Sequence, residues 1–241
     1  GEHCFKLNDV PPGMHWCLAP GAVGPDALGP DGHPKLGSFL PEIPYARRMW
    51  AGGWLEFYED FKIGDHVKRH SQIDDITFKS GKSGNLCFVA ITHEFSVDGG
   101  LKLRERHDVV YREEVTPAPV LAAIADSHAA HRWHVDTNTI MLFRYSALTF
   151  NGHRIHYDLP YSTDVEGHAG LLVHGPLQAT LMLNLACSVA GKLPEKMTYR
   201  GVRPLVCGDP IMIDADKEEG NLVACVRGAD GNVTMKATVT L

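Results

Sequence analysis

Pro176-Leu177-Gln178-Ala179-Thr180-Leu181-Met182-Leu183-Asn184-Leu185-Ala186-Cys187-Ser188-Val189 is the stretch whose reading decides the fold. Leu177, Leu181, Leu185 and Val189 recur every four residues and their neighbours are mostly apolar too, which predicts a helix buried on nearly all sides. Such a helix needs another layer to cover it. The sequence ahead of it offers strands. Residues 54–58, 66–73, 85–95 and 102–111 are rich in β-branched and aromatic residues. Gly81/Gly84 and Asp98-Gly99-Gly100 mark turns between them, so an antiparallel meander is expected. Residues 10–44 are dense in turn formers, among them Pro11-Pro12-Gly13 and Gly29-Pro30-Asp31-Gly32, and read as an irregular arm over a surface.

An internal echo points to two similar units. Ile63-Gly64-Asp65, Gly84-Asn85-Leu86 and Asp98-Gly99 return in the same order as Cys207-Gly208-Asp209, Gly220-Asn221-Leu222 and Asp230-Gly231. The expected division is 1–115 for the first unit, 116–135 for a linker, and 136–241 for the second. Residues 119–132 are alanine-rich and read as a short helix or helical linker. Residues 139–150, from Thr139 to Phe150, read as a strand.

A formal charge of −6 and a pI near 6.1 supply no global attraction to nucleic acid or to an anionic membrane, and neither partner is expected. No apolar run approaches the roughly 18–20 residues that a bilayer requires. Six cysteines without a C-x-x-C pair, three of them in apolar stretches, read as small buried hydrophobes in a reducing compartment. The opening Gly1-Glu2-His3-Cys4 has no initiator Met and no signal-peptide pattern, and the natural N-terminus is expected upstream.

The densest polar stretch is Asn151-Gly152-His153-Arg154-Ile155-His156-Tyr157-Asp158. An imidazole can take a proton from water and return it, whereas an amide can only orient water, so Asn151 and His156 suit the addition or removal of water. A second cluster, Gly170-Leu171-Leu172-Val173-His174-Gly175-Pro176-Leu177, runs into the apolar helix. The backbone N–H of Gly175 at that helix start would favour developing negative charge, such as an enolate oxygen. His128, His131 and His134, with His153 and His156, have spacings that a helix would turn toward a metal. No H-E-x-x-H motif accompanies them, and no metal or cofactor is expected.

The run Phe143-Arg-Tyr-Ser-Ala-Leu-Thr-Phe-Asn151-Gly-His-Arg-Ile-His156-Tyr-Asp158, followed by Glu166-Gly and Gly170-Leu-Leu-Val-His-Gly-Pro-Leu177, resembles the hydratase segment of the MaoC-like, hot-dog-fold enoyl-thioester hydratases. It is most similar to their double-hot-dog branch, which contains mesaconyl-CoA and itaconyl-CoA hydratases and the type 2 3-hydroxyacyl-thioester dehydratases. Pro44-Tyr-Ala-Arg-Arg-Met-Trp-Ala-Gly-Gly53, Tyr199-Arg-Gly-Val-Arg-Pro-Leu205 and Gly208-Asp-Pro210 carry the likeness over nearly all of residues 11–241. The resemblance implies an α+β double hot dog, two antiparallel sheets each wrapped around a helix, with the acyl chain in the groove between them. It also implies a first-unit helix before Val10 that this chain largely lacks. The broader family has Asp where Asn151 stands, and the change transfers proton uptake to His156.

The expected reaction is hydration of a small branched dicarboxylic CoA thioester, itaconyl-CoA or mesaconyl-CoA. The alternatives are dehydration of a 3-hydroxyacyl thioester in fatty-acid synthesis and non-catalytic acyl-CoA binding. A thioesterase would usually place a carboxylate in the central helix, and residues 176–189 contain none. Asn151, His156 and Gly175 are the expected catalytic groups. Arg47, Arg48 and Arg144 are candidates for a distal carboxylate, and Arg200 and Arg203 for the CoA phosphates. Trp50, Gly52, Tyr145 and His174 complete the expected substrate contacts. A cytoplasmic homodimer is expected, or one in the mitochondrial matrix of a eukaryote.

Overall fold

A computed structural model describes residues 9–45, 47–81, 84–113 and 128–241. Among them, nine strands form a single antiparallel sheet. They are β1 (Arg47–Phe57), β2 (Val67–Gly81), β3 (Gly84–Val97), β4 (Gly100–Arg112), β5 (His131–Val135), β6 (Lys196–Gly201), β7 (Ile211–Glu218), β8 (Asn221–Arg227) and β9 (Val233–Thr240). Their order is β2-β3-β4-β1-β6-β9-β8-β7-β5. The order explains the echo: β2-β3-β4 and β7-β8-β9 are the same meander, and β1 and β6 pair where the two halves meet. The repeated Gly-Asn opens β3 and β8, and the repeated Asp-Gly turns into β4 and β9.

The long helix is α2, Gly175–Ala190, and it packs on β5 to β9. Met182, Leu183, Ala186 and Cys187 are almost completely buried, as the nearly uniform apolar pattern requires. Proline in its first turn and Gly191 in left-handed conformation after its last turn are ordinary helix punctuation. The core continues into the first half through Leu55, Phe95 and Leu103.

Two expectations change. Residues 139–150 form a helix, α1 (Thr139–Thr149), not a strand. Exposed apolar residues, Ile140, Phe143 and Leu148, hide the period, but Asn138 caps the helix by accepting the Met141 N–H at 2.9 Å, and Leu142 and Ser146 face inward four residues apart. His131 and Arg132, read as part of a helical linker, belong to β5, which pairs with β7; residues 119–127 lie outside the described residues. His131 and His134, three apart on a strand, therefore point to opposite faces and share no metal. Five cysteines are free thiols, and Cys4 lies outside the described residues.

One irregularity in β1 matters for the site. Below it, Leu55 opposes Glu105 and Phe57 opposes Leu103 on the inner face. The register shifts between Trp50 and Gly52, and this bulge reverses the alternation. Arg48 and Trp50 thereby oppose the inward-facing Tyr111 and Val109, whereas Arg47 and Met49 turn outward.

Candidate active site

The chain leaves α1 through Phe150, whose left-handed conformation brings the Asn151 N–H back to the Ser146 carbonyl at 2.9 Å. The Asn151 side-chain oxygen accepts the His153 N–H at 3.0 Å, which commits it to a local turn and, among the described residues, leaves its NH2 free to donate. A single 3-10 turn, Arg154–His156, then drives Ile155 and His156 inward. The Leu172 carbonyl lies 2.8 Å from His156 Nδ1, so Nδ1 carries the proton and Nε2 keeps a lone pair.

His156 belongs to a row of four imidazoles. Its ring stacks on His174 at 3.6 Å between centroids and 19° between planes. His153 stands edge-on to it at 5.5 Å, and His33 lies 4.3 Å beyond His153. The row runs from half-buried His33 to fully buried His174, whose Nε2 is 2.8 Å from Ser146 Oγ on α1. His174 Nδ1 is buried without a partner among the described residues. Tyr145 closes the inner end, 4.9 Å from His174 and 3.5 Å from Thr180 Oγ1.

His33 comes from the arm, which was expected only to cover a surface. Its turn clamps the site segment: the Arg154 N–H donates to the Asp31 carbonyl at 2.9 Å, and the Arg154 guanidinium donates to the Pro30 carbonyl at 3.0 Å. Asp31 spends both carboxylate oxygens on His33, one on its N–H at 3.0 Å and one facing its Nδ1 at 2.9 Å. The signal in the sequence is an acid and an imidazole separated by one glycine. Gly32 is required there, since its φ is +88° and a Cβ would stand 1.9 Å from the Gly152 carbonyl oxygen. Gly32→Ala is expected to lift the arm, because left-handed backbone alone costs about 1–2 kcal/mol and the clash is with backbone. Faster hydrogen exchange at the Arg154 amide checks this; unchanged exchange contradicts it.

Burial sets the protonation of the row. It lowers His156 to about 4 against the opposing Leu172 bond, and it lowers His153 and His174 further, with neighbouring imidazoles reinforcing it. Burial also lowers His33; the Asp31 bond opposes this and the Arg48 charge adds to it. Asp31 is held well below the carboxylate range because the His33 bonds outweigh its own burial. The imidazoles are therefore neutral bases at neutral pH. Ligand atoms of Asp31, His33 and His153 lie within 4.8 Å of one another, the spacing of a metal site. A dication there would meet the Arg48 charge that already bears on both imidazoles, while Asp31 is committed to His33. A metal is a poor fit.

Gly175 opens α2 directly after His174, and its N–H has no intrahelical acceptor. The Trp50 ring lies against it: a Cβ on Gly175 would be 2.4 Å from Trp50 Cε3. Trp50 stacks on Tyr199 at 4.8 Å and keeps a buried indole N–H without a partner among the described residues. Beneath it lies a polar core network in which buried Glu105 accepts from Trp16 Nε1 at 2.6 Å and faces His107, with His15 at 3.8 Å.

The structure thus gathers Asn151, His156, His174, Gly175, Tyr145 and Trp50 into one region. Four other expected contacts do not fit their assigned roles. Arg47 faces outward and donates to Glu166 and to the Glu166 and Val165 carbonyls. Arg203 is paired with Asp230 at 2.7 Å. Arg144 is exposed on α1, the expected strand being a helix. Gly52 serves the close approach of β1 to β6, where a Cβ would be 2.5 Å from the Tyr199 carbonyl oxygen. Arg200 is exposed on β6 opposite Gly52, and Arg48 is half-buried on the inner face.

Residues 13–207 match the family model for hydroxyacyl-thioester dehydratase type 2. The chain is 38% identical over 236 residues to mesaconyl-C(4)-CoA hydratase of Chloroflexus aurantiacus, covering 97% of this chain and 84% of that protein. Among solved structures it is similar to HtdX of Mycobacterium tuberculosis, with a TM-score of 0.68 at 16% identity, over 97% of this chain and 88% of that one. It is also similar to a conserved hypothetical M. tuberculosis protein described as a double hot dog, with a TM-score of 0.59 at 14% identity, over 96% of this chain and 81% of that one. The nine-stranded sheet with its internal echo is a double hot dog.

Proposed function

From the premise that the chain belongs to the hydroxyacyl-thioester dehydratase type 2 family, whose members are hydro-lyases, we propose that it adds water reversibly across the double bond of mesaconyl-C4-CoA or a closely related dicarboxylic enoyl-CoA. The observation that carries the chemistry is the buried His156, neutral, with Nδ1–H tied to Leu172 and Nε2 free, stacked on the residue that precedes the open helix start. In this mechanism the Asn151 NH2 orients water. His156 Nε2 takes one water proton as the oxygen bonds to Cβ, and the π electrons move through Cα onto the thioester oxygen. The Gly175 N–H holds that enolate oxygen, a contribution of about 3–4 kcal/mol for such donors. The imidazolium then returns its proton to Cα, and the same groups run the reverse dehydration of a 3-hydroxyacyl thioester.

The chain's likeness to the mesaconyl-C(4)-CoA hydratase supports the dicarboxylic substrate over a plain enoyl chain. A homodimer in the cytoplasm, or in the mitochondrial matrix of a eukaryote, belongs to the same proposal; the fifteen-residue outer edge strand β2 supports association. No helix among the described residues is long and apolar enough to cross a membrane. Incubation with mesaconyl-, itaconyl- and crotonyl-CoA tests the reading through the enoyl-thioester absorbance. The expected result is its loss without free thiol, fastest for mesaconyl-CoA. Thiol release, or binding with the double bond intact on all three, overturns it.

A further inference from the structure

Arg48 and Tyr111, on the inner face of the first half, are not used by the mechanism. Arg48 is half-buried, and among the described residues its guanidinium has no hydrogen-bond or ion-pair partner. Tyr111 opposes it directly across β1 and β4, is 3% exposed, and its hydroxyl is buried without a partner among the described residues. A buried hydroxyl left unpaired costs about 1–3 kcal/mol, so such a pair calls for a ligand. We propose that Arg48 and Tyr111 form the subsite for the free carboxylate of a dicarboxylic acyl-CoA and so set the preference for dicarboxylic over monocarboxylic acyl groups. The inference takes its acyl-CoA ligand from the hydratase reading and goes beyond it by assigning the specificity.

The bulge at Trp50/Gly52 turns Arg48 inward and leaves its neighbour Arg47 outside on Glu166, so only one of the adjacent arginines is available to a ligand. Arg48 lies two residues from Trp50 on the same face, roughly 6.6 Å along the strand, and the Trp50 ring touches Gly175. The two carboxyl carbons of a four-carbon diacid are three C–C bonds, roughly 4 Å, apart. With its oxygens at each end, such an acyl group reaches from the Gly175 N–H toward Arg48. The Arg48 charge also acts on Tyr111, His33 and His153, which places it beside the imidazole row. Among the described residues Asp31 is the acid whose charge bears on the same cluster, and both its oxygens already serve His33. A planar guanidinium with a phenol beside it meets a carboxylate through two or three charge-assisted hydrogen bonds.

Calorimetric titration of the whole chain with succinyl-CoA and butyryl-CoA, saturated and unreactive analogues, tests the subsite without turnover. The wild type is expected to bind succinyl-CoA more tightly by about tenfold or more. Arg48→Gln is expected to weaken succinyl-CoA by about 100-fold and leave butyryl-CoA within about threefold. Tyr111→Phe, which keeps the ring packing and removes only the hydroxyl, is expected to weaken succinyl-CoA alone by about tenfold. Equal wild-type affinities, or a Tyr111→Phe protein that treats both ligands alike, overturn the subsite. A wild type that prefers succinyl-CoA but hydrates no enoyl thioester sinks the hydratase reading and leaves the subsite standing. Hydration of mesaconyl-CoA without that preference does the reverse.

Discussion

Replacing His156 by Ala is expected to lower kcat for hydration by about 1,000-fold, with a much smaller change in KM, because the group that moves the proton is lost while the acyl contacts stay. Among the described residues the geometry leaves no equivalent base. His174 has its Nε2 on Ser146 and its ring face against His156, and His153 is edge-on beside them. The truncation also leaves the Leu172 carbonyl without its donor, at about 1–3 kcal/mol, so thermal unfolding of the variant must accompany the kinetics. A folded His156→Ala protein that keeps its rate refutes the role. The wild-type pH profile gives a second readout: with His156 lowered to about 4 by burial, kcat/KM in brief assays should stay level from pH 8 to about pH 5 instead of falling near 6.5.

Stability, in contrast, is expected to fall as soon as the pH drops below about 6.5. His153, His156 and His174 at the site, and His93 in the first half, are buried and have folded-state affinities for protons lowered by that burial, to about 4 for His156 and His93. Above pH 6.5 these imidazoles are neutral in both states and nothing is lost. Below it the unfolded chain takes protons that the folded chain refuses, so unfolding gains until the pH reaches the folded values. At pH 5 each such imidazole costs about 2 kcal/mol, and four of them rival the whole stability of an ordinary domain. Glu105 and Asp31, held ionised well below the usual range, add to the loss as the pH falls below about 4.5. The urea midpoint should therefore drop steeply between pH 7.5 and pH 5 with an unchanged slope. A midpoint that stays constant over that interval contradicts the buried neutral row. Slow inactivation in mild acid then reports unfolding, and a brief jump into substrate separates it from titration of the base.

What could be read from the chain was what depends on near neighbours. The α2 helix was legible because a four-residue apolar period and a Gly-Pro start are local signals. The hairpin at Asp98-Gly99 was legible because a two-residue turn restricts its residues, and Asp230-Gly231 marks the longer, five-residue connection between Arg227 and Val233. Residues 139–150 misled because β-branched and aromatic composition outweighed a cap, Asn138, that lay one residue outside the run. Nothing local separates Arg47 from Arg48.

By itself, then, the sequence carried the buried helix, the echo between the two halves, and the polar Asn151–Asp158 and Gly170–Leu177 runs, since each shows as a local pattern of residues. Tertiary structure alone decided that Asp31 and His33 reach the site across more than a hundred residues of chain. It also decided that a bulge in β1 turns Arg48 and not Arg47 inward. The physical reason is the same in both cases: side-chain direction and long-range docking follow from strand register and from backbone packed on backbone, as where Gly32 meets Gly152, and neither leaves a periodic trace in the sequence.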